Sequence, residues 1–421
     1  MHKIMKIAAL FPGQGSQFVG MGNQLLREYS IAKKIFEEAS EALGFDIKKL
    51  CLASDPSELK KTENAQPALL TNSYAEYQVA KMKWEFEPTV LAGHSLGEFT
   101  ALVCAGAIDF KTAIRLVRSR GYCINESVKG TDSGMVAVLK ADADHIGAIC
   151  ETISKETGKV ICLSNINSKD EIVVSGEKVA LDHFKKISKE ESYTVIPLQV
   201  SGAFHSPILK KAHDLFRLEL DKINFKPLTL PIISNLTGEY YTSNTDMVDH
   251  LAQHLINPVL WYKTMQQMEK DNIDATIEFG GKEVLKKMVL KHTPFIQSYS
   301  FNDNLERVLQ RNTKGTLKPV QRDLAIKFIE SSLTAAISTK NYQKNNLDEY
   351  HEMVIVPYRK VQTLKDKIVN NEQDASVQDL QESLNMIISV LKTKMLPKDE
   401  QKEYIDNLLE IALPHKEQLE Y

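Results

Sequence analysis

Cysteine is scarce in this chain, glycine stops at Gly315, and no apolar run approaches the ~20 residues that span a bilayer. The few thiols, Cys51, Cys104, Cys123, Cys150 and Cys162, are odd in number, scattered, and lack C-x-x-C spacing. Buried free thiols in a reducing compartment explain that pattern better than disulfides or a metal. An excess of one charge sign is missing too, since the formal net charge is -3. With no basic tail or stripe, nothing points to nucleic acid as a partner. The first apolar stretch, residues 7–11, is cut by Pro12-Gly13 before a signal-peptide core forms. The expectation is a cytoplasmic protein that neither crosses nor binds a membrane. Repeats and low-complexity tracts are absent as well.

At 421 residues there is enough chain for two or three cores. From residue 6 to about 125, short apolar runs at 7–11 and 89–92 alternate with helical spacing at 24–40, 68–83 and 99–107. This alternation predicts a parallel sheet covered by helices, an α/β class. Between 134 and 201 the order becomes strand (135–139), helix (144–156), strand (160–165), strand (171–175), helix (178–190) and strand (194–200). A βαββαβ run is the order of a ferredoxin-like unit. Strand-like runs of the first type resume at 232–234 and 277–279, so the unit is expected as an insertion. The boundaries assigned are 1–127 and 202–312 for the α/β core, and 128–201 for the insertion. Residues 316–421 are assigned as a largely helical C-terminal extension, with 353–356 as its one strand-like run. Its stripes are Ile326, Ile329, Leu333 and Ala336, then Leu384, Ile387, Ile388 and Leu391, then Ile405, Leu408, Leu409 and Ala412.

Chemistry enters at Gly93-His-Ser-Leu-Gly97, a G-x-S-x-G between an apolar strand and a helix. A bare G-x-S-x-G is often a chance Gly-Ser turn. The flanking strand and helix make this one a nucleophile elbow, with Ser95 on a strained turn and glycines giving its backbone room. The helix that follows aims free N–H groups above the serine, so the Leu96 N–H is an expected oxyanion donor. Serine needs a base. His94 is adjacent, but elbow geometry sends its ring away. His205, in the loop Ser201-Gly-Ala-Phe-His-Ser-Pro207, is the better candidate.

In the helix expected over 111–125, Ala113, Ile114, Leu116, Val117, Gly121 and Ile124 share one face at 100° per residue. Lys111, Arg115 and Arg118 lie opposite, but Arg120 falls inside the apolar stripe. A buried guanidinium needs a partner. Periodicity leaves two readings even: an internal salt bridge, or a substrate carboxylate held by the planar fork.

Taken together, these residues resemble the malonyl-CoA:acyl carrier protein transacylases, particularly the free-standing, trans-acting acyltransferases of polyketide and mixed polyketide–peptide synthases. The resemblance covers about residues 6–309. It rests on Phe11-Pro-Gly-Gln-Gly-Ser-Gln17, Gln66-Pro-Ala68, Gly93-His-Ser-Leu-Gly-Glu98, Arg120-Gly121, Gly202-Ala-Phe-His-Ser-Pro207, Asn257-Pro-Val259 and Ile277-Glu-Phe-Gly280. It implies an α/β-hydrolase-like core and a Ser95–His205 dyad. It also implies Gln14 and Leu96 as backbone oxyanion donors, Arg120 on the malonyl carboxylate, and Phe204 as the malonyl-associated neighbour of the base. A main-chain carbonyl just before Asn-Pro-Val orients the histidine in the family; here that position is His254, where glutamine is usual. Malonyl-CoA is then the substrate and an acyl carrier protein the acceptor, with no bound cofactor and no metal. Departures are Ile124 where methionine is common, Gly280-Gly281-Lys282 in place of Gly-Pro-Gly, and the extension after Gly315. Two alternatives carry other functions: a hydrolase clearing stalled acyl chains, whose relatives tend to lack the arginine, and a non-catalytic synthase scaffold acting through the tail.

Overall fold

The computed structural model describes residues 5–293, 295–303, 305, 308–309, 320, 322–342, 347–370, 375–412 and 419. They fall into two compact units. The larger lies within Ile4–His292 and Ser298–Leu309, the smaller within Thr293–Gln297 and Gln310–Tyr421.

A five-stranded sheet of order β7-β2-β1-β8-β9 organises the larger unit. Its strands are β1 (Ile7–Phe11), β2 (Val90–Gly93), β7 (Ile232–Ile233), β8 (Ala275–Glu278) and β9 (Gln297–Ser300). β1 pairs in parallel with β2 and β8, and β2 with β7. Every residue of β1, β2 and β8 is buried, as strands covered on both faces require. Their carboxyl ends therefore open onto one edge, where open α/β sheets place ligands. The loops there carry Gln14, Ser95, Asn235 and Gly280.

Elements fall where expected, with three informative differences. The helix expected over 24–40 is two, Asn23–Glu28 and Ser30–Leu43, broken at an extended Tyr29. Leu25 and Leu26 are buried in the first and Ala32, Ile35, Phe36 and Ala39 in the second, so the apolar spacing runs on through the break. A second helix begins at Thr62 rather than 68, because Pro67 sits inside Thr62–Trp84 instead of at its start. The helix after Ser95, Leu96–Cys104, opens directly on the nucleophile.

The inserted run forms its own antiparallel sheet, ordered β4-β5-β3-β6. It comprises β3 (Ser133–Leu139), β4 (Ile161–Ile166), β5 (Glu171–Glu177) and β6 (Thr194–Pro197), with helices Ala143–Thr157 and Lys178–Glu190. Alternation splits β3 cleanly. Val136 and Val138 join the helices' core, while Met135 and Ala137 face the other way, towards Val200 and Phe204. The edge of β4 is covered by the Asn257-Pro-Val259 segment, through Ile166 N–H to Val259 O at 2.9 Å and Val259 N–H to Ser164 O at 2.9 Å.

In the smaller unit the three stripes read from sequence pack into one core, with Ile329, Leu384, Ile387, Leu391 and Leu409 fully buried. Residues 353–356 are not a strand. A π-helical turn, His351–Ile355, leads into the helix Val356–Val369. Pro357 has no N–H to return to the carbonyl of Met353, so the turn widens. The Ser389 hydroxyl donates to that Met353 oxygen instead, at 2.9 Å.

Candidate active site

Ser95 sits at φ 51, ψ -105, a conformation that L-residues adopt only under constraint. Two glycines permit it. A Cβ on Gly93 would lie 1.9 Å from the Gly97 carbonyl carbon, and one on Gly97 would lie 1.9 Å from the Phe11 oxygen. The turn is clamped by Asn235, which follows β7 and is fully buried. Its Oδ1 accepts from the Ser95 N–H at 2.6 Å, and its Nδ2 donates to the Gly93 oxygen at 2.5 Å. The Asn235 N–H in turn donates to Glu98 Oε2 at 3.2 Å.

The two residues of the expected dyad meet. Ser95 Oγ and His205 Nε2 are 2.9 Å apart, and His205 Nδ1 lies 2.9 Å from the main-chain oxygen of His254. A carbonyl only accepts, so Nδ1 carries the proton and Nε2 presents its lone pair to the serine hydroxyl. Like Ser95, His205 has positive φ, at 52°. Its loop is held by Ser175 Oγ donating to the Phe204 oxygen at 2.7 Å and Ser206 Oγ to the Ala203 oxygen at 2.7 Å. Burial, then the nearby Arg120 cation, push the imidazole down to about 3, so it is neutral and ready to accept a proton. His94 is elsewhere: its Nε2 meets Asn167 Oδ1 at 2.9 Å and its ring packs beside Trp261.

Arg120 is 3% exposed, as its place in the stripe requires. Nη1 donates to Gln66 Oε1 at 3.1 Å, Nη2 reaches Ser95 Oγ at 3.4 Å, and the guanidinium lies over the Phe99 ring. Among the described residues no ion pair reaches it. Burial lowers it to about 10, which leaves it charged, and Glu98 acts on it only through space. Glu98 is itself buried and raised to about 7, accepting from the Tyr241 hydroxyl and the Asn235 N–H. Nε of Arg120 and Nε2 of Gln66 are buried without a hydrogen-bond partner among the described residues. The internal salt bridge, one of the two readings left open by periodicity, is thus not what the site contains. A cation with spare donors stands beside the serine oxygen.

The other residues named from sequence are placed by their own contacts. Leu96 is the first residue of its helix, and Gln14 lies in the loop after β1 with its side chain bound to Thr62 Oγ1 at 3.3 Å. Among the described residues the N–H groups of Gln14 and Leu96 are not taken up by another acceptor. Phe204 is half-buried against the β3–β5 face. His254 supplies the orienting oxygen, while its own ring is buried and neutral, with Nδ1 3.7 Å from Glu98 Oε2. Asn235 and the structural part of Glu98 were missed by sequence reasoning. Asn235 follows directly on Ile232-Ile-Ser234, and the end of a parallel strand is where such a residue belongs. Among the described residues, no group of three or more acidic, histidine or cysteine side chains is placed to hold a metal ion.

Known proteins match this arrangement. Residues 9–341 fit the acyl transferase domain family. A malonyl CoA-acyl carrier protein transacylase of Bacillus subtilis is 33% identical over 395 residues, 94% of this chain and 98% of that one. Its counterpart in Escherichia coli strain K12 is 36% identical over 299 residues, covering 71% of this chain and 96% of the relative. Among solved structures, the transacylase of Clostridium perfringens superposes with a TM-score of 0.70 at 34% identity, over 73% of this chain and 98% of that one. A malonyl-transacylase in complex with a type II PKS acyl-carrier protein gives 0.69 at 32% identity, over 74% and 100%. The chain belongs to the malonyl CoA-acyl carrier protein transacylase family and is an acyltransferase.

Proposed function

We propose that this protein carries a malonyl group from malonyl-CoA to the phosphopantetheine thiol of an acyl carrier protein through a malonyl ester on Ser95. The observation that carries the reading is Arg120, charged, 3% exposed, and beside Ser95 Oγ without an ion-pair partner among the described residues. A malonyl carboxylate fits the guanidinium fork, with the Nε2 amide of Gln66 alongside.

In the forward half-reaction the Ser95 hydroxyl gives its proton to His205 Nε2 as its oxygen attacks the thioester carbon. Negative charge on the carbonyl oxygen is met by the Gln14 and Leu96 N–H groups. Such donors are worth ~10²–10³ in rate each. The C–S bond breaks and His205 returns the proton to the leaving thiolate. The carrier thiol then runs the sequence in reverse, losing its proton to His205 and taking the malonyl group from Ser95. Arg120 has a second effect. Its cation depresses His205 in the empty site, so a carboxylate seated on it restores basicity at the moment of binding. An acyl group without a carboxylate loses both the contact and the tuning.

Service in trans to a polyketide or lipopeptide synthase is the finer reading. One fact supports it: likeness to a malonyl-transacylase in complex with a type II PKS acyl-carrier protein. Intact-protein mass spectrometry after malonyl-CoA tests the chemistry. A malonyl adduct that disappears in Ser95→Ala supports it; no adduct, or one that survives, refutes it. Transfer to a panel of synthase and fatty-acid carrier proteins tests the context.

A further inference from the structure

Two opposite charges are buried behind the nucleophile, Arg120 on the helix Phe110–Val128 and Glu98 on the helix Leu96–Cys104. No ion pair joins them, yet Glu98 is the carboxylate that acts on Arg120 through space. Glu98 is held for its charged form from two sides. Oε1 accepts from the Tyr241 hydroxyl, and Oε2 accepts from the Asn235 N–H at 3.2 Å. Desolvation works against that form and sets the carboxyl at about 7 in the empty site.

The other groups packed round it are imidazoles. His254 Nδ1 lies 3.7 Å from Oε2, and both nitrogens of that ring are buried without a hydrogen-bond partner. His250 packs against the Tyr241 ring at 4.7 Å, and His205 against His254 at 5.1 Å. Burial holds all three below the ordinary imidazole range, so they are neutral at pH 7. The cluster therefore contains one fixed cation and one carboxyl that titrates near neutrality. A malonyl carboxylate on Arg120 brings a second negative charge into this desolvated space. The substrate takes the guanidinium fork directly, whereas Glu98 answers the same cation only at a distance.

We propose that Glu98 is the resident counter-charge of Arg120 and takes up a proton from solvent when the malonyl carboxylate seats, so that selection of an acidic acyl group is proton-linked. The proposal rests on the malonyl-CoA reading above. The ionised fraction of Glu98 in the empty site grows with pH, so uptake climbs from about 0.1 proton at pH 6 to about 0.5 at pH 7. An imidazole answering the same carboxylate would take up less as pH rises.

Calorimetric binding to full-length Ser95→Ala, in buffers of different ionisation enthalpy, counts these protons. Acetyl-CoA is the reference arm, since it carries the same phosphates without the acyl carboxylate. The malonyl-minus-acetyl uptake should climb between pH 6 and 7.5, and Glu98→Gln should abolish the climb. Tyr241→Phe removes a donor to the charged carboxyl, so it should move the climb to higher pH. In the enzyme with Ser95 intact, preference for malonyl-CoA over acetyl-CoA in kcat/KM should fall by up to about tenfold per pH unit above 7, and Glu98→Gln should flatten it. Equal proton exchange for both donors, with malonyl-CoA still bound more tightly, overturns the role of Glu98. So does uptake that falls from pH 6 to 7.5, or a climb that Tyr241→Phe leaves unmoved. Malonyl-CoA that binds no more tightly than acetyl-CoA at any pH overturns the functional reading instead.

Discussion

Truncating Asn235 to alanine separates positioning from chemistry, because the side chain touches no substrate yet holds the nucleophile's backbone. The change removes two hydrogen bonds, from the Ser95 N–H at 2.6 Å and to the Gly93 oxygen at 2.5 Å. The Gly93 oxygen is buried and Ser95 half-buried, and leaving each group unpaired costs ~1–3 kcal/mol. The expected loss of stability is therefore roughly 2–6 kcal/mol, read from urea unfolding. Activity should fall further than stability accounts for. The φ of 51° at Ser95 stores about 1–3 kcal/mol of strain, and without the clamp the turn relaxes. A shift of Oγ by about 1 Å against His205 costs on the order of 10²-fold in the acylation rate. The assay is the pre-steady-state rate of malonyl-enzyme formation, measured on protein shown to be folded by circular dichroism. Asn235→Asp keeps the acceptor for Ser95 but loses the donor to Gly93 and sets a second carboxyl near Glu98. Its deficit should grow above pH 7, where Glu98, raised to about 7, ionises. Folded Asn235→Ala with a wild-type acylation rate refutes the clamp.

Arg120→Ala should lower kcat/KM for malonyl-CoA by about 10²–10⁴, the worth of a bidentate charged contact, while acetyl-CoA turnover rises relative to it; an unchanged preference refutes the carboxylate role. Removing that cation also lifts one of the two main depressions on His205, so the acid limb of acetyl transfer should move up from about 3 towards the ordinary imidazole range; a downward shift is inconsistent with the electrostatics. Glu76, fully desolvated, is raised to about 8 and keeps its proton in the folded state, whereas the unfolded chain loses it above about 4.5. Its contribution to stability is thus complete at low pH and lost as pH rises through about 8. Glu76→Gln should accordingly gain stability relative to wild type between pH 5 and 9 in urea titrations, and a gain that shrinks over that range contradicts the assignment. In the helical unit, Lys394 Nζ donates to the Ala336 and Thr339 oxygens at 2.7 and 2.9 Å, capping a helix end. Lys394→Met should destabilise that unit by roughly 2–4 kcal/mol in thermal unfolding, and no change in its transition excludes the cap.

How much of this was legible in the sequence depends on whether the information is local. Ser95 and Gly97 are readable because strain, glycine room and a following helix all lie within five residues, and each needs the others. Arg120 is readable because a charge in an apolar stripe contradicts burial unless something answers it. Periodicity cannot say what answers it, since Gln66 and Glu98 lie 54 and 22 positions away and meet it only through the packing of three helices. The same limit hid Asn235, whose side chain crosses 140 positions to Ser95 from the turn that follows a strand of two residues. So short a strand gives no alternation to read. Local β-branching misled at 353–356, where Val354, Ile355 and Val356 look like a strand. The missing N–H of Pro357 and the hydroxyl of Ser389, 36 positions from Met353, make a π turn there instead. Distance in sequence therefore separates the two classes of site residue. The groups that do the chemistry sit in motifs that constrain their own backbone, and those that hold them in place arrive from other strands and helices. Substitutions in the second class should accordingly be poorly ranked by motif alone and well ranked by the number of buried backbone groups they leave unpaired.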